Sequence, residues 1–190
     1  LPPPGGALQQ RPIPPAATAS FDGSRRRTPQ PPIASGAVHQ ETRMLIDLDP
    51  VLTPDLLWVL AAMGHGDDLA LVNANFPADT IARKTTSAKL VSLPGLPVER
   101  VARAIFSVLP LDGFVADPLR RMEPIGRPDE TPPVQEAVLA AARRRNPEVE
   151  FGGIERFAFY EAAARGFAVV HVGDPRPFGC FMIRKGVIFA

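Results

Sequence analysis

Residues 62–72 read Ala62-Met63-Gly64-His65-Gly66-Asp67-Asp68-Leu69-Ala70-Leu71-Val72. The last four form an apolar run too continuous for a strand with one wet face. Both faces must then be covered, which favours helices on either side of a sheet. The residues before the run pose a separate question. Glycine suits a turn, but a turn does not need an imidazole between two glycines, and the chain has only three histidines.

Upstream, Thr53-Pro54-Asp55 reads as an N-cap, a proline at the first helical position and an acid in the first turn. Leu56, Leu57, Leu60 and Met63 follow at helical spacing, with Gly64 expected as a left-handed cap. Downstream, a second helix is expected from about Pro97 to Val108, with Val98, Val101, Ala102 and Ile105 on one side. A third runs from Thr131-Pro132-Pro133 through Ala142, and a fourth from Ile154 to Arg165, closed by Gly166. Phe167 to Val172 reads as a strand. Gly173-Asp174-Pro175-Arg176-Pro177 is turn chemistry, and Phe178 to Ile183 is expected to return as a hairpin partner. Helices alternating with strands, then a hairpin, imply an α/β three-layer sandwich with a mixed β-sheet.

The amino-terminal part differs in composition. LPPPGG, RPIPP and TPQPPI carry prolines too densely for a helix or a central strand, so residues 1–43 are expected to be a disordered extension before Met44. The alternative is an extended proline ligand for a partner groove. Residues 44–190 have the size of one domain. No apolar core of a signal peptide and no run long enough to cross a membrane is visible in the sequence, which favours a cytoplasmic protein. A net charge of +1 argues against a nucleic-acid stripe. The single cysteine excludes an intramolecular disulfide framework, and no Cys/His spacing suggests a metal site.

Three places carry residues suited to chemistry. His65, between glycines, can give or take a proton near neutrality, or can simply sit in a surface turn beside the solvated acids Asp67 and Asp68. Arg156 and Tyr160 lie four apart and share one helix face. There they either converge on a polar ligand or form a half-buried ring with a stacked cation. Tyr160 is the only tyrosine among eleven phenylalanines. Asp112 follows an apolar helix, as a site acid or as an ordinary loop aspartate.

Taken in order, MGHGDDL (Met63–Leu69), NANFP (Asn73–Pro77), LPLD (Leu109–Asp112), ERFAFYE (Glu155–Glu161) and RKGVI (Arg184–Ile188) span nearly all of residues 44–190. This pattern resembles the L-fucose mutarotase and D-ribose pyranase family (RbsD/FucU), and its GHGD and RFAFYE elements are similar to the fucose mutarotase branch. The resemblance implies a cofactor-free isomerase that interconverts the α and β anomers of a free monosaccharide. It also implies ring-shaped homo-oligomers, such as decamers. On the family pattern His65 would donate the proton, Asp112 and Tyr160 would contact the sugar and share in proton transfer, and Arg156 would hold a sugar hydroxyl. Asn73, Phe178, Gly179 and Cys180 would complete the substrate contacts.

Three positions depart from that pattern. Asn73 stands where the fucose enzymes commonly have Asp, and Phe178-Gly179-Cys180 stands where they have Tyr-Gly-Asn. Asn73 cannot ionise, Phe178 lacks a hydroxyl, and Cys180 offers only a weak thiol. These changes can shift the preferred sugar, or leave a non-catalytic or weakly catalytic sugar-binding or regulatory module. Geometry adds a constraint. A strand over Leu69 to Asn73 advances roughly 13 Å at about 3.3 Å per residue, placing His65 and Asn73 near opposite ends. One small sugar then meets both only if the chain bends sharply or neighbouring subunits share a site.

Overall fold

Thr53 starts the first helix, α1 (Pro54–Ala62), by accepting the Leu56 amide proton on its hydroxyl at 3.3 Å. The computed structural model describes residues 45–189, so the proline-rich 1–43 segment lies outside the described residues. After α1 come β1 (Asp68–Val72), α2 (Ala78–Ala82), β2 (Leu90–Leu93), α3 (Val98–Val108), β3 (Leu119–Met122) and α4 (Pro133–Arg143). Then follow β4 (Phe151–Ile154), α5 (Arg156–Arg165), β5 (Ala168–Val172) and β6 (Phe181–Arg184).

The strands form one sheet in the order β2-β5-β1-β6-β3-β4. Every pairing is parallel except the two made by β6, which runs antiparallel to β1 and β3. β1 is central, and Leu69 to Val72 are fully buried. Side chains alternate across a strand, so the run divides between two cores. Leu69 and Leu71 join the cluster built with α1, α3 and α4, while Ala70 and Val72 join the cluster built with α2 and α5. Helices therefore cover both faces, and the fold is a three-layer α/β sandwich with a mixed sheet. Leu56, Val59 and Ile105 fill the first core, and Phe159 fills the second; all four are fully buried.

Three expectations are corrected. Gly64 is not a left-handed cap. α1 ends at Ala62, Met63 is extended (φ −61°, ψ 139°), and the left-handed residue is Gly66 (φ +84°). The reason is that the Lys185 ammonium donates to the carbonyls of Leu60 (2.9 Å) and Met63, so the helix end is satisfied from elsewhere in the chain. Next, Ile154 ends β4 and does not open the fourth helix; Glu155 caps α5, accepting the amide protons of Phe157 (2.7 Å) and Ala158 (3.1 Å). Finally, the last strand starts at Phe181 and is not hairpin-paired with β5, because β1 lies between them. The turn chemistry after Val172 builds a loop that crosses the carboxyl end of β1.

These strand directions fix two ends. Residues 64–67, the segment before β3, and residues 185–186 gather at the amino end of β1. The starts of α2 and α5, and the loop from Gly173 to Cys180, gather at its carboxyl end.

Candidate active site

At the amino end, the loop carrying His65 is tied to the segment after β6. Gly66 N–H donates to the Lys185 carbonyl and Lys185 N–H to the Asp67 carbonyl, each at 2.9 Å. Asp67 closes its own turn by accepting the Gly64 amide proton at 2.7 Å. Asp68 is no solvated turn acid. Arg184 contacts both of its carboxylate oxygens (3.1 and 2.8 Å), and Arg120 lies 2.8 Å from the second. This pins the start of β1 to β6 and β3. The same segment grips the Asp112 loop: Gly186 N–H donates to the Pro110 carbonyl (2.9 Å) and Asp112 N–H to the Arg184 carbonyl (3.2 Å). A methyl group on Gly186 would lie 2.3 Å from the Leu111 carbonyl oxygen, so only glycine allows this approach.

The result is a contact of 3.2 Å between His65 Nε2 and Asp112 Oδ1. The Asp112 side chain is 4% exposed and the His65 side chain 49%, so a buried carboxylate holds an imidazole that reaches solvent. The Phe114 amide (3.0 Å) and His65 keep the Asp112 carboxyl below the usual carboxylate range. An ionised carboxylate only accepts hydrogen bonds, so Nε2 carries the proton in this contact. Nδ1 is then the ring nitrogen left to exchange a proton with a ligand. Phe114 sets its ring edge-on to His65 at 5.5 Å, and Phe189 meets Phe114 at 6.4 Å; both phenylalanines are exposed.

The carboxyl end holds a cavity of about 190 Å³ lined by Asn73, Asn75, Phe76, Met122, Ile125, Arg156, Tyr160, Pro177, Phe178 and Cys180. It is below the range of roughly 300–1,000 Å³ usual for drug-sized ligands, a scale that suits a small one. Arg156 Nε donates to the Tyr160 hydroxyl at 3.1 Å. That hydroxyl keeps its own proton for a further acceptor. The guanidinium also lies 5.7 Å from the Tyr160 ring centre, and Phe76 packs edge-on to the tyrosine at 5.3 Å. Convergence on the cavity and stacking thus hold at once.

Asn73 is buried and its polar atoms are engaged. Nδ2 donates to the Arg176 carbonyl at 2.8 Å, while Oδ1 accepts from the Asn75 amide at 3.3 Å and from the Cys180 thiol at 3.6 Å. Two of the three departures from the family pattern therefore touch each other. Burial pushes the Cys180 thiol up to about 12, so it is neutral at physiological pH and forms part of the floor. Phe178 has φ +61°, an outlier for a bulky side chain, and Gly179 beside it is buried. Asp174 anchors the same loop, accepting the Val98 amide proton at the start of α3 (3.0 Å) and the Arg176 guanidinium. Arg176 holds the Asp174 carboxyl down at about 2.

The structure thus brings His65 to Asp112 and gathers Arg156, Tyr160, Asn73, Phe178 and Cys180 around one cavity. Neither His65 nor Asp112 lines that cavity. Sequence reasoning missed Asn75, Phe76, Met122, Ile125 and Pro177 as lining residues, although Asn75 and Phe76 lie inside the NANFP motif. It also missed Gln135, a fully buried glutamine in the first turn of α4 that donates to the Met122 and Phe178 carbonyls.

A mixed-sheet α/β domain with a histidine–carboxylate pair at one end and a small aromatic cavity at the other is, as a class, a protein equipped for proton transfer on a small polar molecule. Residues 46–188 match the profile described as the RbsD / FucU transport protein family, and the chain belongs to that family. It is 38% identical to an L-fucose mutarotase of Actinobacillus pleuropneumoniae serotype 5b over 147 residues, which cover 76% of this chain and 97% of the relative. It is 36% identical to the fucose mutarotase of Homo sapiens, covering 73% of this chain and 90% of the human protein. The crystal structure of FucU from Bifidobacterium longum superposes with a TM-score of 0.69 at 30% identity, covering 75% of this chain and 99% of that one.

Proposed function

We infer that the protein is a sugar mutarotase, an isomerase that interconverts the α and β anomers of a free monosaccharide similar to L-fucose. Membership of a family whose similar relatives are named fucose mutarotases over nearly their full length supports this reading. The observation that carries the mechanism is the His65–Asp112 pair, a solvent-reaching imidazole fixed by a buried, ionised carboxylate.

Opening a pyranose requires loss of the anomeric hydroxyl proton and delivery of a proton to the ring oxygen as the C1–O5 bond breaks. Closing on the other face of the aldehyde reverses both transfers. In this proposal His65 moves one of the protons through Nδ1 while Asp112 fixes the ring. Tyr160, with its oxygen accepting from Arg156, gives its hydroxyl proton to the ring oxygen as His65 Nδ1 takes the anomeric hydroxyl proton, and closure on the other face returns both protons. Arg156 supplies charge and a hydroxyl contact. Asn73, Phe178, Gly179 and Cys180 shape the cavity for the sugar.

His65 precedes β1 and the Tyr160 cavity lies beyond its other end, so we propose that one sugar meets His65 of one subunit and Tyr160 of a neighbour in a ring-shaped homo-oligomer. Exposed apolar residues flank both ends, Phe114 and Phe189 near His65 and Ile125 and Phe157 near Tyr160, and these are suited to bury against each other. No helix among the described residues is long and apolar enough to cross a membrane. We place the protein in the cytoplasm, a reading supported by the buried free thiol of Cys180.

The decisive experiment is proton-exchange NMR between the two anomeric signals of a panel of sugars, with and without the protein. Enhanced exchange for at least one sugar is the expected result. Line broadening or shifts without enhanced exchange would establish the alternative, a sugar-binding or regulatory module. That alternative draws on the mutual engagement of Asn73 and Cys180, which leaves less polar capacity for a sugar.

A further inference from the structure

We propose that Gln135 is a positioning residue that sets the width of the cavity at the carboxyl end of β1 by tethering two of its walls to one amide group. The role rests on the reading of that cavity as the sugar site. The Gln135 side chain is fully buried, and its Nε2 donates at 2.8 Å to the carbonyl of Met122 and at 2.9 Å to the carbonyl of Phe178. Met122 ends β3, and Phe178 belongs to the loop between β5 and β6; the ladder between β3 and β6 stops at the bond from Met122 N–H to the Cys180 carbonyl (3.0 Å), and the amide carries the connection two residues further, to Phe178. Both residues line the cavity, whereas Gln135 does not. It therefore acts through its partners.

The chemistry of the group supports a tether over mere filling. Among the described residues, Gln135 Oε1 is buried with no hydrogen-bond partner. Burying an unpaired acceptor is unfavourable, and an apolar side chain of similar shape would avoid it. The glutamine offsets that penalty only if its two N–H donors matter. Reversing the amide would turn the oxygen toward two carbonyl oxygens, so the neighbours settle its orientation. Phe178 also needs holding, since an aromatic residue at φ +61° persists only where its surroundings over-determine it. The rest of the loop has its own restraints: Asn73 holds the Arg176 carbonyl and accepts from Cys180, and Val134 of α4 lies 3.5 Å from where a Cβ on Gly179 would stand. Phe178 is reached only through its carbonyl, by Gln135, among the side-chain hydrogen bonds of the described residues.

The test is anomer-exchange NMR with L-fucose and D-ribose, run as a concentration series so that KM and kcat separate. Gln135→Met keeps length and apolar bulk but removes both donors. KM for the preferred sugar should rise about tenfold, the size expected for loss of a pair of buried hydrogen bonds, with kcat within about twofold. In a double-mutant cycle with Phe178→Ala, the second change should add little, because Gln135 acts through that wall. An unchanged KM in Gln135→Met, or effects that add in full, would overturn the role. If Gln135→Met does not fold, Gln135→Asn, whose shorter amide reaches only one carbonyl, should raise KM by a few-fold; parental KM there also overturns it. An unaltered chain that neither exchanges nor binds any sugar defeats the functional reading as well. An active parent with an indifferent Gln135 variant defeats this inference alone.

Discussion

The amino end of β1 leaves one ring nitrogen of His65 without a partner among the described residues, while the carboxyl end engages the polar side chains of Asn73 and Gln135 in its own walls. Around His65, Lys185, Asp67 and Gly186 tie loop to loop, and the imidazole, hydrogen-bonded to Asp112 and packed edge-on against Phe114, is half exposed to solvent. Around the cavity, Asn73, Cys180 and Gln135 are bound to their surroundings, and Tyr160 with Arg156 forms its polar edge. A group that moves protons needs a fixed backbone and a free ring nitrogen. A group that selects a ligand by shape needs walls that do not yield. On the proposed reading, the two ends meet these separate requirements and are brought together only between neighbouring subunits.

The sharpest way to break the comparison is His65→Ala, which should lower the exchange rate by about 100-fold or more, the usual contribution of a positioned acid or base, while sugar binding persists. Mixing His65→Ala chains with Tyr160→Phe chains should then recover exchange above either parent. No recovery from mixed and reassembled chains would return both residues to one subunit. Next in size is Gly186→Ala. The added methyl meets the Leu111 carbonyl, so we expect about 1–3 kcal/mol lower stability by denaturant titration, together with a loss of exchange that exceeds the loss of binding.

Asn73→Asp should have a smaller effect, confined to the carboxyl end. It replaces the donor to the Arg176 carbonyl by a carboxylate, and a cost of roughly 0.5–1.5 kcal/mol with weakened sugar binding and little change in bound-state turnover is expected. A gain in binding would instead mean that the asparagine is a poor substitute for an acid that contacts the sugar directly. The smallest effect concerns pH. The Asp174 carboxyl is depressed to about 2 from an ordinary value of 3.8, so its contribution is complete above about pH 4. It is lost as the pH falls toward 2. Melting curves of Asp174→Asn should accordingly be less pH-dependent over that window than those of the parent.

Strong local patterns made much of the fold legible. The continuous Leu69–Val72 run marked a strand covered on both faces, the spacing of Val98, Val101, Ala102 and Ile105 marked α3, and Thr53-Pro54 located the start of α1. Three of the elements that escaped notice lack such signals. β3 contains Arg120 and Arg121, and a strand with adjacent arginines becomes intelligible only once Asp68 and the Pro128 carbonyl are seen beside them. β4 contains Gly152 and Gly153, where a Cβ would meet the side chains of Asp117 and Glu123. α2 spans five residues, too few for a period to show. The false hairpin has a similar origin: turn residues announce a reversal, but which strand receives the returning chain is a long-range choice. At the site, His65, Asp112, Arg156 and Tyr160 stood out as candidates because their residue types and setting were unusual. Gln135 did not, since a glutamine in the first turn of a helix looks like surface until the sheet closes over it.

β6 has a consequence for engineering. Its leading end delivers Phe178, Gly179 and Cys180, its trailing end delivers Lys185 and Gly186, and its central residues are held in register on both sides, with Ile183 opposite Leu69 and Leu119. The strand is in effect a spacer bar of fixed length. Deleting or inserting one residue within it would invert which face each following side chain serves and detune both extremities in a single stroke. Any graft between relatives should therefore carry this bar whole.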